Sequence, residues 1–123
     1  MSYPRPITTI KQIEPTSICN LRCHYCIYPT MPRAKQHMAM ETFERALEWV
    51  RHFVGEGTQG ELSLTGIGET FLHPEAVEMF GRAREAIGPD RMLTVSTNGI
   101  LLDDATAQAL APYRPSIFVS NHR

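Results

Sequence analysis

The chain has 123 residues, 42% of them hydrophobic, with 12 Lys and Arg against 13 Asp and Glu and a formal net charge of -1. A chain of that length forms one core and not two, and the near balance of charge supplies no broad basic field for gripping nucleic acid. No apolar run approaches the roughly 20 residues that span a bilayer, and the opening "MSYPRPITTIKQIEP" lacks the basic and apolar regions of a secretion signal, so a cytoplasmic location without membrane partners is expected.

In chain order, the first expected element is a strand near residues 7 to 14, in "ITTIKQIEP". A helix follows, in which Phe43, Ala46, Leu47, Val50 and Val54 recur at helical spacing and Glu41 and Arg45 sit four apart; it should end near Gly55. A second strand is expected near 61 to 66, with Leu62 and Leu64 on one face. The next helix should begin at Pro74, turn Val77, Phe80, Ala83 and Ile87 inward and stop at Gly88 and Pro89. "RMLTVSTNG" gives a third strand near 92 to 98. A short helix should start after Asp103 or Asp104 as cap and run through Leu110 to Pro112, before a last strand near 116 to 121. Alternation of strand and helix calls for right-handed crossovers and a parallel sheet, an α/β fold. Met31, Met38 and Met40 read as gap-filling side chains, and Glu44, Glu48, Glu78, Arg82 and Glu85 as solvated helix faces.

The unusual sequences all follow carboxyl ends of these strands: the cysteines after the first, "TGIGETF" after the second, "STNG" after the third and "SN" at the last. Parallel α/β sheets place their sites at that edge, so one site built from separated segments is expected. All three cysteines, Cys19, Cys23 and Cys26, fall in eight positions with C-x3-C-x2-C spacing. An odd, tightly spaced set favours metal over disulfides in a reducing compartment. Three thiolates on a four-iron cluster leave one iron open, as a catalytic site requires. The alternative is a structural zinc site with His24, His37 or His73 as fourth ligand, although His24 lies between two ligands and is badly placed. Asn98-Gly99 alone signals a hairpin. Against that, "ILLDD" does not alternate and runs into capping aspartates, which fits a strand-to-helix loop.

Cys19, Cys23 and Cys26, with Tyr25 just before the last, resemble the signature of the radical S-adenosylmethionine (radical SAM) enzymes, and "TGIGETFLHPE" resembles that family's glycine-glycine-glutamate-proline segment, with Thr70 where proline is usual. The resemblance runs over roughly residues 8 to 121 and implies a partial (β/α) barrel, here three βα units plus a fourth parallel strand, so that 1–123 is the first half of a radical SAM core domain. It implies a [4Fe-4S] cluster whose unique iron is chelated by S-adenosylmethionine. Reductive cleavage then gives a 5'-deoxyadenosyl radical that abstracts hydrogen from an unidentified substrate, with a flavodoxin or ferredoxin as reducing partner. On the same resemblance, Gly66 and Gly68 allow close backbone approach and Glu69 accepts from the cofactor ammonium. Ser96 and Asn98, with Thr97 beside them, line the S-adenosylmethionine pocket, and Ser120 meets the ribose.

Adenine contacts and most of the substrate cavity belong to the family's second half and have no counterpart here. The matched segments look most like branches that modify peptides, activate sulfatases or build cofactors. An uncovered last strand exposes unpaired backbone, which calls for either a longer enzyme or completion by association, including with another copy. The competing functions are a non-catalytic iron-sulfur or zinc module and a truncated relative that binds S-adenosylmethionine without chemistry.

Overall fold

A computed structural model describes residues 7–19 and 35–120. Helix α1, Met40–Glu56, buries Phe43, Leu47, Val50 and Phe53 along one stripe, as the periodicity requires. It runs past Gly55 and stops at Gly57, whose φ of 77° gives the left-handed cap that closes on the carbonyls of Phe53 and Val54. Helix α2, Ala76–Ile87, is entered from Glu75 and not from Pro74; a 3-10 turn at Thr70–Leu72 precedes it. Helix α3, Asp104–Leu110, is capped by Asp103, whose Oδ1 accepts from the Thr106 amide at 2.8 Å. Beyond it, Pro112 sits in a 3-10 turn, Ala111–Tyr113.

Strands β1 (Leu62–Ser63), β2 (Leu93–Thr97) and β3 (Ser116–Val119) form one parallel sheet in the order β1-β2-β3. The register aligns Leu62 with Leu93 and Thr94 with both Ser63 and Ser116. β1 is shorter than the expected 61 to 66 for a definite reason. The next rung would join Ser96 N to Leu64 O, but the Ser96 amide donates instead to Thr65 Oγ1 at 2.8 Å and Leu64 O accepts from Thr70 Oγ1 at 2.7 Å.

The expectation of four strands is corrected to three among the described residues. Residues 7–14 contribute a single parallel bridge, Gln12 to Ser63, with Ile13 N donating to Ser63 O and Ser63 N to Lys11 O, both at 2.9 Å. Upstream of it, the buried Gln59 amide occupies the Ile10 backbone: Ile10 N donates to Oε1 at 3.1 Å and Nε2 donates to Ile10 O at 2.7 Å. A side chain thus replaces the strand partner that would have extended the ladder.

Leu62, Leu64, Leu93 and Val95 are buried with the apolar stripes of the helices in one core, so the helices cover one face of the sheet. Pleat alternation turns Ser63, Thr65, Ser96 and Phe118 to the other face, which is only partly covered. This one-sided arrangement is consistent with part of a barrel. Met38 and Met40 pack against the core, in keeping with their expected role, while Met31 lies outside the described residues. The acidic and basic helix faces are less passive than solvation alone: Arg82 bonds Glu78 on its own helix and reaches Glu44 of α1 at 2.7 Å, and Arg51 reaches Glu85 at 3.3 Å. Among the described residues no helix is long and apolar enough to cross a membrane.

Candidate functional site

The site is built where β1 and β2 end. Glu69, only 3% exposed, leaves the β1 loop and turns its carboxylate back to β2. Its Oε1 accepts from the Asn98 amide at 2.8 Å and its Oε2 from the Phe71 amide at 3.1 Å, while Thr97 Oγ1 lies 2.9 and 2.8 Å from the two oxygens. The Phe71 bond also caps the 3-10 turn. These donors are neutral, and no cation among the described residues pairs with this buried carboxylate.

The same loop grips the root of the cysteine segment. Glu69 N donates to Ile18 O at 2.8 Å, one residue before Cys19. At Gly68 a Cβ would stand 2.6 Å from Ile18 O and 2.8 Å from Ile18 N, so only glycine admits this approach. At Gly66 a Cβ would collide with the Glu14 side chain, whose carboxylate accepts from Ile67 N at 2.5 Å. Gly68 is therefore required by backbone contacts within the chain, whereas a side chain at Gly66 would have to displace Glu14. Thr70, in place of the usual proline, is buried and its hydroxyl closes the loop onto Leu64 O, a bond that proline has no donor to make.

Cys19 is a free, half-buried thiol at this edge; Cys23, Cys26 and His24 lie outside the described residues. Among the described residues no group of three or more His, Cys, Asp or Glu is poised around a metal. The donor set nevertheless suits a four-iron cluster, because three thiolates are soft ligands and Cys19 stands beside the glycine loop. The two legs of the cysteine segment are pinned together by Ser17 N to Gln36 O at 2.9 Å and Met38 N to Pro15 O at 2.7 Å. A cavity of about 460 Å³ lies at this neck, lined by Glu14, Thr16, His37 and Thr42 among others.

Of the histidines considered as zinc ligands, His37 and His73 lie among the described residues. His73 is buried and uses both nitrogens, Nδ1 accepting from Glu75 N at 3.0 Å and Nε2 donating to Met38 O at 2.7 Å, which leaves neither for a metal. His37 Nδ1 lies 2.8 Å from Thr16 Oγ1. Loss of hydration and, less, the nearby His73 hold its imidazole below the ordinary pKa.

Ser96 and Ser120 come together with their hydroxyls 3.3 Å apart across β2 and the end of β3. Asn98 is placed at the same edge, its Oδ1 accepting from Ile100 N at 3.0 Å, and Gly99 has a φ of 82°. The segment turns into α3 as a strand-to-helix loop and forms no hairpin. Thr97 is the residue that sequence reasoning underrated: it follows Leu93 and Val95 in the buried alternation of β2, and the signal was a hydroxyl where an apolar side chain would serve packing.

A family model described as the Radical SAM superfamily matches residues 13–120. The chain is 37% identical over 95 residues to molybdenum cofactor biosynthesis protein 1 of Bos taurus, covering 74% of this chain and 14% of that protein. It is 34% identical over 101 residues to the GTP 3',8-cyclase of Chlorobaculum tepidum, covering 80% and 29%. The crystal structure of BtrN in complex with AdoMet and 2-DOIA superposes with a TM-score of 0.81 at 23% identity, over 98% of this chain and 48% of that one. The chain thus spans less than a third of these curated relatives and about half of BtrN.

Proposed function

The chain belongs to the radical SAM superfamily, and on that premise we propose that it is the cofactor-binding half of an enzyme core that holds a [4Fe-4S] cluster and S-adenosylmethionine. When bound, this pair supplies a 5'-deoxyadenosyl radical by one-electron reductive cleavage, and that radical takes hydrogen from a substrate. Cys19, Cys23 and Cys26 would hold the cluster, and the Gly66–Glu69 loop would bind the methionine part of the cofactor. Ser96 and Ser120 offer hydroxyls to the cofactor's sugar, and Asn98 lines its pocket.

The observation that carries this reading is the buried Glu69 carboxylate, which has neutral donors and no cation from the described residues. A buried charge is normally paired. The ammonium group of S-adenosylmethionine would supply the cation that the described residues do not, and the pairing would be a charge-assisted hydrogen bond. Thiolate ligands and reductive cleavage both need a reducing compartment, so we place the protein in the cytoplasm with a flavodoxin or ferredoxin as electron donor. The substrate lies on the polar face of the sheet. The exposed β3, with Phe118 and Val119 each 63% exposed, is completed by further strands of a longer chain or by a second copy.

Anaerobic reconstitution followed by iron and sulfide analysis, then reductant and S-adenosylmethionine, tests this reading. The expected result is an iron-sulfur chromophore and 5'-deoxyadenosine. Zinc without sulfide would replace this reading with the structural-metal one, and a loaded cluster that binds the cofactor without product would limit the chain to binding.

A further inference from the structure

Resting on the cofactor reading above, we propose that Thr97 is a positioning residue: its hydroxyl fixes the Glu69 carboxylate in the orientation that receives the ammonium group of S-adenosylmethionine. Thr97 joins every segment of the site. Its Oγ1 lies 2.9 and 2.8 Å from the two Glu69 oxygens and accepts from Gly99 N at 3.1 Å, and its carbonyl accepts from Ser120 N at 2.8 Å. Through Glu69, whose amide holds Ile18 O at 2.8 Å, it also reaches the root of the cysteine segment.

Donor arithmetic gives the hydroxyl its role. A carboxylate offers about four acceptor positions. Glu69 receives one proton each from the Asn98 and Phe71 amides, and Thr97 has a single hydroxyl proton to share between the two oxygens. Three donors fill about three positions and leave roughly one for a ligand. Thr97 is the donor that lies within reach of both oxygens, so it sets which position stays open. The side chain is 3% exposed and continues the buried alternation of Leu93 and Val95. Packing alone would be served as well by valine.

That contrast makes the test. In the anaerobically reconstituted 123-residue chain, Thr97→Val keeps the shape and removes the hydroxyl, whereas Thr97→Ser keeps the hydroxyl and removes a methyl group. Binding of S-adenosylmethionine is measured by calorimetry per loaded cluster, alongside iron and sulfide content and the change in the reduced cluster's electron paramagnetic resonance spectrum when the cofactor is added. The expected result is parental iron content in both variants, at least a roughly tenfold weaker affinity and a diminished spectral change in Thr97→Val, and affinity within about twofold of the parent in Thr97→Ser. A packing role gives the opposite order, and parental affinity in Thr97→Val would overturn the proposal. If Thr97→Val loads no iron, Thr97→Ser decides: parental affinity upholds the hydroxyl, and a loss of about tenfold refutes it. A parent that carries the cluster yet ignores the cofactor would instead bring down the cofactor reading itself.

Discussion

The two ends of the sheet solve opposite electrostatic problems. At the amino ends of the strands, where helices finish, cations collect main-chain carbonyls. Arg84 donates to Tyr113 O at 2.8 Å, Gly88 O at 3.0 Å, Arg91 O at 2.6 Å and Arg114 O at 3.2 Å. Arg91 adds Gln59 O at 2.7 Å and Ile87 O at 3.1 Å. At the carboxyl ends, where helices begin, anions collect amides: Glu14 takes Ile67 N, Glu69 takes Phe71 N and Asn98 N, and Asp103 takes Thr106 N. This polarity follows from the unpaired N–H groups at helix starts and unpaired C=O groups at helix ends. The difference lies in what is left over. Arg84 spends its donors on the chain, and burial followed by the nearby Arg114 holds its guanidinium below the ordinary pKa. Glu69 has neutral donors alone and no cation among the described residues. The amino end is closed, and the carboxyl end is prepared for a ligand.

Substitutions at each end should therefore separate stability from binding. The largest effect is expected for Cys19→Ala, which removes one of the three thiolates; iron and sulfide after reconstitution should fall to background while the helical circular dichroism of the chain is kept. Arg84→Ala comes next. It strips donors from several carbonyls at the closed end and should lower unfolding free energy by about 2 kcal/mol in a urea titration, with cofactor affinity per loaded cluster unchanged. Glu69→Gln keeps the shape and removes the charge, so S-adenosylmethionine should bind about tenfold more weakly, roughly 1.4 kcal/mol, with iron retained. Equal effects of Arg84→Ala and Glu69→Gln on cofactor affinity would erase the distinction between the ends.

The smallest effect concerns Asp103. Hydrogen bonds from Thr106, the backbone one first, hold its carboxyl below the ordinary pKa. With the folded value depressed, its contribution is complete above the unfolded value of about 3.9 and is lost as pH falls through the folded one. Thermal midpoints should thus drop more steeply in acid for the parent than for Asp103→Asn, which caps α3 without titrating there.

Much of this layout was legible from residue patterns. The stripe Phe43, Leu47, Val50 located α1, the Asp103 cap located the start of α3, and Leu62 with Leu64 marked the buried face of β1. All three are local signals with a period or a cap. The shortened strands were not legible, because their causes are long-range side-chain bonds. Gln59 pairs with the Ile10 backbone across 49 residues, and no alternation in "ITTIKQIEP" reports that a glutamine elsewhere will take its hydrogen bonds. At the site, the convergence of the cysteine root, the glycine loop and the β2 end could be read from their shared position after strands. What could not be read was the internal use of the motif. Gly66 and Gly68 face Glu14 and Ile18, and Thr70 makes good the missing proline by donating to Leu64 O. Thr97 could be placed beside Ser96 and Asn98, but nothing in the sequence reported that its hydroxyl would meet Glu69.

The two threonine bonds that supplant a ladder rung after Leu64 act as a ruler for the connection between them. Sliding β1 along β2 by a single position would part Thr65 from Ser96 N, and changing the number of residues between Leu64 and Thr70 would pull Thr70 off Leu64 O. Inserting or deleting a residue between 65 and 70 should therefore be poorly tolerated, because it changes the span that both bonds fix. Variation in length, whether by evolution or by engineering, is thereby kept out of the segment that carries Glu69 to the end of β2.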